Sequence, residues 1–260
     1  MQRFFTDFKN YIHYIGYAAK ASLKSELDGS RIGWIWWILD PVMFMLIYMF
    51  VFTVVFQRTT DYLVAFIFLG INIWKYFNGT VQSCVPLIKQ SRNIISKVYL
   101  PKFALVLTRM TTNAVKLAFS FVVVVGLMIW YRIVPTLYLL QLIPVLGVLG
   151  LLTFGLSLLV MHVGVYFEDL AKFLRPAFQL LFYASGVFYP MQDALGGQAA
   201  ELLMWINPAA LLIAEVRNAV IYGRLCNWGA LCLWALLGAG LTALSLGLIY
   251  RSENEYVKLV

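Results

Sequence analysis

Residues 34–56 read WIWWILDPVMFMLIYMFVFTVVF, an apolar run of 23 residues with a single charged side chain, Asp40. An α-helix rises about 1.5 Å per residue, so this run is long enough to cross a hydrocarbon core about 30 Å thick. Indole rings, among them Trp34 and Trp37, lie at its start, where amphipathic rings favour the headgroup layer. Pro41 removes a backbone donor one turn inside and predicts a kink. The stretch therefore predicts a membrane-spanning helix.

The composition of the whole chain agrees with a membrane protein. Charged residues make up 12% of the 260 residues and hydrophobic residues 62%, whereas a soluble domain carries about 25% charged residues. The net charge of +8 is typical of cytoplasmic loops enriched in Lys and Arg; without a basic, aromatic-interleaved soluble domain, we expect no nucleic-acid partner. The three cysteines, Cys84, Cys226 and Cys232, show no metal-ligand spacing and no disulfide framework.

Hydropathy predicts an all-α integral membrane fold of six transmembrane helices in one domain, residues 1–260. The predicted spans are 34–56, 62–87, 103–130, 137–166, 173–190 and 228–250. The second half of span two is too polar to face lipid, so it must face protein or water. Residues 193–224, between spans five and six, predict two short helices broken at Asn207-Pro208. Each is too short to span, and such pairs are typically re-entrant or interfacial.

Residues 4–24 predict an amphipathic helix ahead of the first span. At about 100° per residue, an apolar face that includes Phe4, Phe8 and Ile15 lies opposite polar residues such as Lys9. This pattern suits a helix in the membrane interface. An amphipathic helix packed on protein is the alternative.

The distribution of Lys and Arg predicts the orientation. With six spans both termini share a side. That side, with the loops after spans two and four, carries thirteen Lys and Arg residues against four on the opposite side. Because cytoplasmic loops are enriched in Lys and Arg, we expect a multi-pass protein of the cell membrane (inner or plasma) with both termini in the cytoplasm.

The sequence contains no recognisable motif for catalysis or nucleotide binding. No GxxxxGK followed by Ser or Thr occurs, so the chain lacks the P-loop that holds ATP. The histidines, His13 and His162, have no HExxH context, and no catalytic triad is visible. We therefore expect no enzymatic activity, no metal and no cofactor bound by this chain.

Two charged features have more than one interpretation. Lys75 lies close to the middle of span two, where a cation indicates function by default. It either lines a path for an anionic lipid-linked substrate or pairs with Asp40 or a backbone carbonyl. Glu168 and Asp169 open span five ahead of Lys172. They either stabilise the helix N-terminus or dock a partner.

The loop 88–102 reads IKQSRNIISKVYLPK. Residues 91–99 predict a short amphipathic helix that ends before Pro101. A solvated basic loop is one interpretation. The other is a protein-binding surface, because five apolar residues are expected to be exposed: Ile94, Ile95, Val98, Tyr99 and Leu100.

Several motifs, in order along the chain, resemble those of one transporter family. Gly33–Trp36 followed by Asp40-Pro41 is similar to LGxLW followed by a residue-Pro pair, and Asn93–Pro101 is similar to N-LI-KVYFP. Phe167–Leu170 resembles F-RDL with Glu168 in place of Arg, and Ser185–Pro190 resembles SPVIYP with Gly186 in place of Pro. Asn207-Pro208 and Arg217 match an external segment. Over nearly its whole length the chain resembles the ABC-2 type permeases, particularly exporters of O-antigen, capsule and wall teichoic acid.

The resemblance implies an assembly and a substrate. Two copies of this chain would pair with two copies of an ABC ATP-binding subunit, which holds ATP and Mg²⁺, within the membrane lipid. The substrate would be a glycan or teichoic acid linked to polyprenyl pyrophosphate and moved outward. Residues implied to contact the ATPase are Asn93, Ile94, Ile95, Ser96, Lys97, Val98, Tyr99, Leu100, Pro101, Glu168 and Asp169. An external gate would include Asn207, Pro208, Glu215 and Arg217.

Candidate substrate contacts complete the prediction. Aromatic rings offer sugars flat faces, and cations attract a pyrophosphate head. Candidates for the path are Trp34, Trp37, Asp40, Tyr48, Trp74, Lys75 and Tyr76, and candidates for the headgroup are Lys20, Lys24 and Arg31. Two other functions stay open: an ABC-2 permease for drugs or small lipids, and a membrane-embedded enzyme or channel.

Overall fold

The structure, a computed structural model, describes residues 2–28, 33–55, 57, 62–167, 169–192, 196–253 and 255–256. These residues form helices joined by short connections, and no strand occurs among them. The prediction of an all-α protein is confirmed. The α-helices are α1 (Gln2–Leu27), α2 (Gly33–Phe50), α3 (Leu63–Cys84), α4 (Leu87–Gln90), α5 (Arg92–Ile95), α6 (Lys102–Trp130), α7 (Leu142–Tyr166), α8 (Leu170–Ala184), α9 (Gly197–Ile206), α10 (Pro208–Arg217) and α11 (Trp228–Arg251).

Four helical segments in the described part of the chain are long and apolar enough to cross a bilayer: Gly33–Val55, Lys102–Trp130, Leu137–Tyr166 and Trp228–Arg251. The first and third include a short π-helical or 3₁₀ extension of α2 and α7. A fifth crossing requires that Gly197–Ile206 and Pro208–Tyr222 form one span, and a bend of 112° separates them. The chain is therefore a multi-pass membrane protein. The four segments agree within a few residues with predicted spans one, three, four and six.

Predicted spans two and five, 62–87 and 173–190, correspond to shorter helices. α3 has 22 residues and ends at Cys84. α8 has 15 residues and ends at Ala184, a length of about 22 Å at the usual helical rise. Gly186 follows with φ of 59°, a left-handed conformation that ends helices. Six crossings therefore stay a prediction.

α3 lies at the centre of the packing. It contacts α2, α6, α7, α8 and α10, and Phe68 is fully buried. Its polar residues find partners in its own backbone: Asn72 Nδ2 donates to Phe68 O at 2.8 Å, and Thr80 Oγ1 donates to Tyr76 O at 2.6 Å. These bonds explain how the polar half of α3 is held inside a membrane protein.

α7 and α11 pack closely against each other at a glycine of α7, Gly155. A Cβ atom on Gly155 would lie 2.9 Å from Thr242 Oγ1 and 3.0 Å from Thr242 N, so a larger residue there would force α11 away from α7. Ser245 Oγ also donates to Gly155 O at 3.1 Å. Small residues and interhelical hydrogen bonds of this kind hold helices together in lipid, where the hydrophobic effect does not.

α1 packs partly on protein, which is the alternative to a purely interfacial helix. Ile15 and Ala19 are buried, and the rings of Phe4 and Phe103 lie 4.9 Å apart. Phe5, on the same predicted apolar face, is 66% exposed. One strip of that face therefore contacts the rest of the protein, and the remainder is free to contact lipid.

Candidate functional site

A cavity of about 520 Å³, with polar side chains from all three helices in its lining, lies between α2, α3 and α6. Each helix contributes residues one turn apart, so the polar side chains converge on one space. Aromatic rings, amides, a hydroxyl and charged groups all contribute to the lining. The lining residues are Trp36, Trp37, Asp40, Pro41, Asn72, Lys75, Tyr76, Asn113, Lys116, Leu117 and Ser120.

Lys75 pairs with Asp40 at the wall of this cavity. The Lys75 Nζ donates to Asp40 Oδ2, and it also lies 4.5 Å from the centre of the Phe44 ring. Of the two interpretations of Lys75, pairing with Asp40 is therefore observed. Both side chains also line the cavity, so the pair is accessible from it.

A second ion pair includes Lys116, another residue of the cavity lining. Lys116 Nζ lies 2.7 Å from Glu26 Oε2, which joins the end of α1 to the middle of α6. The cavity thus holds two cations, each neutralised by a carboxylate. Charges in membrane spans need partners, water or a polar ligand. These two ion pairs can therefore form hydrogen bonds with a hydroxyl-rich molecule, and because each pair is neutral they do not attract an ion.

The sequence already contained a signal for the cavity residues that the predictions missed. Asn113, Lys116 and Ser120 recur at positions i, i+3 and i+7, which places them on one face of α6. Asn113 Nδ2 donates to Thr80 Oγ1 at 2.9 Å and so joins α6 to α3. A stripe of polar residues along an otherwise apolar span indicates a face that does not contact lipid.

The predicted path residues separate into two groups. Trp37, Asp40, Lys75 and Tyr76 line the cavity, whereas Trp34, Tyr48 and Trp74 are not among its lining residues. Trp34 is 49% exposed at the start of α2.

Tyr48 and Trp74 belong instead to an aromatic cluster shared by α2, α3 and α8. The Tyr48 ring stacks on Phe188 with centres 4.9 Å apart, and the Trp74 ring lies 5.5 Å from that of Phe182. Trp74 is also buried, so these two rings act in packing.

The loop 88–102 is less helical than predicted. α4 contributes three residues to it, 88–90, and α5 contributes four. Hydrogen bonds from Lys97 N and Val98 N to Ile94 O add one turn. Asn93, Ser96 and Lys97 are exposed, and Pro101 is buried.

The expectation that five apolar loop residues are exposed is wrong for two of them. Ile95 and Leu100 are buried, because they anchor the loop to the core. Ile94, Val98 and Tyr99 are 48%, 63% and 50% exposed. Three apolar side chains thus form a surface that a partner protein can cover.

Of the remaining candidates on the predicted cytoplasmic side, Asp169, Lys20 and Lys24 are surface residues. Asp169 Oδ1 lies 2.7 Å from Lys172 Nζ, and both side chains are 83% exposed, so the pair contributes little to stability. Lys20 and Lys24 are exposed on α1, away from the cavity lining. Glu168 and Arg31 lie outside the described residues.

Arg217 joins the segment predicted to be external, which contains α9 and α10, to α3. It is buried, and its Nε and Nη2 donate to Phe66 O at 3.1 and 2.9 Å. Its Nη1 and Nη2 also donate to Gly186 O and Val187 O at 2.8 and 2.5 Å. Gly70 leaves the space for this contact, since a Cβ there would lie 2.5 Å from Arg217 Nη2.

The glycine at position 186 has a physical reason. Its φ of 59° is closed to proline, whose ring fixes φ near about −65°. The carbonyl of Gly186 thereby faces Arg217. Glycine in place of the proline of the SPVIYP pattern therefore allows a left-handed turn, whose carbonyl accepts a hydrogen bond from Arg217.

Asn207, Pro208 and Glu215 shape the same segment. Asn207 Oδ1 accepts from Ala209 N and Ala210 N at 3.0 and 3.3 Å and caps α10, whose first residue is Pro208. Buried Glu215 accepts from Asn227 N at 3.1 Å. Glu215 and Arg217 also border a second cavity, of about 1080 Å³.

Sequence comparison finds relatives among curated transport proteins, although no family model matches. The O-antigen export system permease protein RfbA of Myxococcus xanthus is 29% identical over 201 residues, which cover 77% of this chain and 76% of that protein. A protein of the same name from Klebsiella pneumoniae is 23% identical over 242 residues, 92% and 91% of the two chains. The polysialic acid transport protein KpsM of Escherichia coli is 24% identical over 238 residues, 90% of each chain.

These relatives are transport permeases, and the alignments extend over most of both proteins. The helical membrane architecture agrees with a permease, as do the motifs around Asp40-Pro41, Asn93–Pro101 and Asn207-Pro208. Over most of its length the chain is therefore similar to permeases of polysaccharide export systems, in agreement with the resemblance to the ABC-2 type permeases.

Proposed function

We propose that this chain is the transmembrane subunit of an ABC exporter. It moves a polysaccharide or teichoic acid, linked to polyprenyl pyrophosphate, from the cytoplasm to the outer face of the membrane. The observation that carries the proposal is the similarity to polysaccharide export permeases over about 90% of both chains. ATP hydrolysis in a separate subunit drives the movement, since this chain has no P-loop.

The assembly contains two copies of this chain and two ATP-binding subunits, with ATP and Mg²⁺ in the latter. The surface of Ile94, Val98 and Tyr99 faces that subunit, together with Glu168 and Asp169. The exposure of these three apolar side chains supports this role, because an apolar patch in contact with water is typical of a protein-binding surface.

The chain crosses the inner or plasma membrane six times, through α2, α3, α6, α7, α8 and α11, with both termini in the cytoplasm. Hydrogen bonds from Arg3 to Tyr99 and Glu253 support this topology. They bring α1, the loop 88–102 and the residues after α11 to one end of the molecule. In this topology α9 and α10 form the external re-entrant pair, with Asn207 and Arg217 at its gate.

The cavity between α2, α3 and α6 contacts the sugar part of the substrate. Its paired charges give no net attraction for an anion, but its amides and ion pairs offer donors and acceptors that hydroxyl groups match. Trp37 and Tyr76 add flat apolar faces. The pyrophosphate head would then contact cations elsewhere, with Lys20, Lys24 and Arg31 as the candidates.

A matched pair of surface substitutions tests the partner. Val98→Asp places a charge in the proposed ATPase contact, and Val134→Asp does so in a loop at the other end of α6, where the valine is 76% exposed. We expect co-purification of a P-loop ATPase with the parent chain and with Val134→Asp, and its loss with Val98→Asp. Equal ATPase recovery with both variants would contradict the assigned surface, and no ATPase with the parent would contradict the proposed function.

A further inference from the structure

Arg3 connects the loop 88–102 to the segment that follows α11. Its Nη2 donates to Tyr99 Oη at 2.6 Å and to Glu253 Oε2 at 2.7 Å. Its guanidinium also lies 4.7 Å from the centre of the Tyr250 ring. Tyr11, two turns further along α1, donates from its hydroxyl to Tyr99 O at 3.1 Å. Three distant parts of the chain thus meet at Tyr99.

The segment after α11 also reaches the end of α7. Tyr256 is fully buried, and its hydroxyl lies 2.5 Å from His162 Nδ1. Next to it, Tyr166 Oη donates to Glu255 Oε2 at 2.8 Å. Tyr166 is the last residue of α7, directly before the turn that contains Asp169.

The segment is built to hold its shape. Glu255 N and Tyr256 N donate to Ser252 O at 3.0 and 3.3 Å, which forms a helical turn. Glu253 has only 12% of its side chain exposed. Burial raises the pKa of Tyr256. Burial also raises the pKa of Tyr99, and the hydrogen bond with Arg3 lowers it by less. Both hydroxyls therefore stay protonated near neutral pH.

We propose that Ser252, Glu253, Glu255 and Tyr256 form a strut that holds the two ATPase-facing segments at a fixed separation. Glu253 fixes the loop 88–102 through Arg3, and Tyr256 fixes the end of α7 through His162. Arg3, Glu253 and Tyr256 are positioning residues, and the inference rests on the proposed function. With the strut in place, a push on the loop moves α7 and α11 as one body, and without it the loop bends.

A distance measurement on the full chain in lipid nanodiscs tests the strut without any partner. Spin labels at Ser96→Cys and Asp169→Cys, both exposed positions, report the separation after the native cysteines are replaced. We expect one narrow distance in this parent. Glu253→Gln with Tyr256→Phe broadens it, because losing a charge-assisted hydrogen bond raises the released population by about tenfold. Glu201→Gln with Tyr17→Phe, both exposed and remote, leaves it narrow.

Coupling is tested in the complex with its ATPase, where a polyprenyl-pyrophosphate-linked oligosaccharide is the probe. We expect Glu253→Gln to reduce oligosaccharide moved per ATP hydrolysed by about fivefold or more, the size of effect a released hydrogen bond gives, while the complex still assembles. Arg3→Glu combined with Glu253→Arg restores the amount of oligosaccharide moved per ATP hydrolysed, because the exchanged charges form the same ion pair. A purely structural role of Glu253 does not predict this recovery.

The outcomes separate the strut from the proposed function. A distance that stays narrow in Glu253→Gln with Tyr256→Phe overturns the strut, and so does a released variant that exports with the parent's ratio. A parent chain that neither binds nor stimulates an ATPase contradicts the proposed function, whatever the distance measurement gives.

Discussion

Replacing Arg217 with lysine tests how the external segment is held. The arginine donates to three backbone carbonyls, those of Phe66, Gly186 and Val187. A guanidinium does this because its donors form a planar fork. The ammonium of Arg217→Lys is a single point, and from the same backbone it can reach at most one of the three sites well.

The expected cost follows from the carbonyls that lose their partner. Each buried acceptor left without a hydrogen bond costs about 1–3 kcal/mol, and two such acceptors give about 2–6 kcal/mol. A chain of this size shifts its melting temperature by about 2–4 °C per kcal/mol. Even the low end therefore lowers the apparent melting temperature by about 4–8 °C.

Thermal unfolding in nanodiscs, followed by tryptophan fluorescence, measures this shift. Arg224→Lys is the matched control, because Arg224 is exposed and lies 5.5 Å from the Tyr222 ring. We expect a change of about 2 °C or less for this surface residue. If Arg217→Lys shifts the melting temperature no more than Arg224→Lys, the three carbonyl contacts do not hold the segment.

Three further predictions concern other contacts. Lys75→Gln and Asp40→Asn each leave one charge unpaired and lower export, and the double variant recovers much of the lost export. Losses that add in the double variant, measured in an export assay, would argue against the Lys75–Asp40 ion pair. Gly155→Leu lowers the melting temperature by several degrees because it separates α7 from α11, whereas Gly147→Leu, with no neighbour within 4 Å, has little effect, and equal shifts would contradict this contact. Asn207→Ala costs about 1 kcal/mol through loss of the helix cap, and Asn207→Ser recovers part of the lost melting temperature; a serine no better than alanine would rule out the cap.

The long apolar helices were predictable because hydropathy alone defines them. Residues 34–56 predicted a helix that the structure places at Gly33–Val55, and 228–250 predicted Trp228–Arg251. Lipid contact permits few charges over such lengths, so the signal is strong. The end of α8 was not predictable in this way, because a left-handed Gly186 decides it.

The cavity could be predicted in part. Lys75 and Asp40 were recognised as a candidate pair, since an intramembrane charge needs a partner. The pairing of Lys116 with Glu26, 90 residues away, depends on how α1 packs against α6, which no local pattern encodes. The burial of Ile95 and Leu100 likewise depends on tertiary packing, because a short apolar run does not indicate which residues face inward.

Transport in proteoliposomes tests the proposed function most directly. The chain is reconstituted with its P-loop ATPase, and a labelled polyprenyl-pyrophosphate-linked oligosaccharide is supplied on the ATPase side. We expect the label to move to the opposite face when ATP is present, and not with an ATPase that binds but does not hydrolyse ATP. Movement that needs no ATP, or ATP hydrolysis that moves no oligosaccharide while it moves a small drug or a simple lipid, would contradict a polysaccharide exporter.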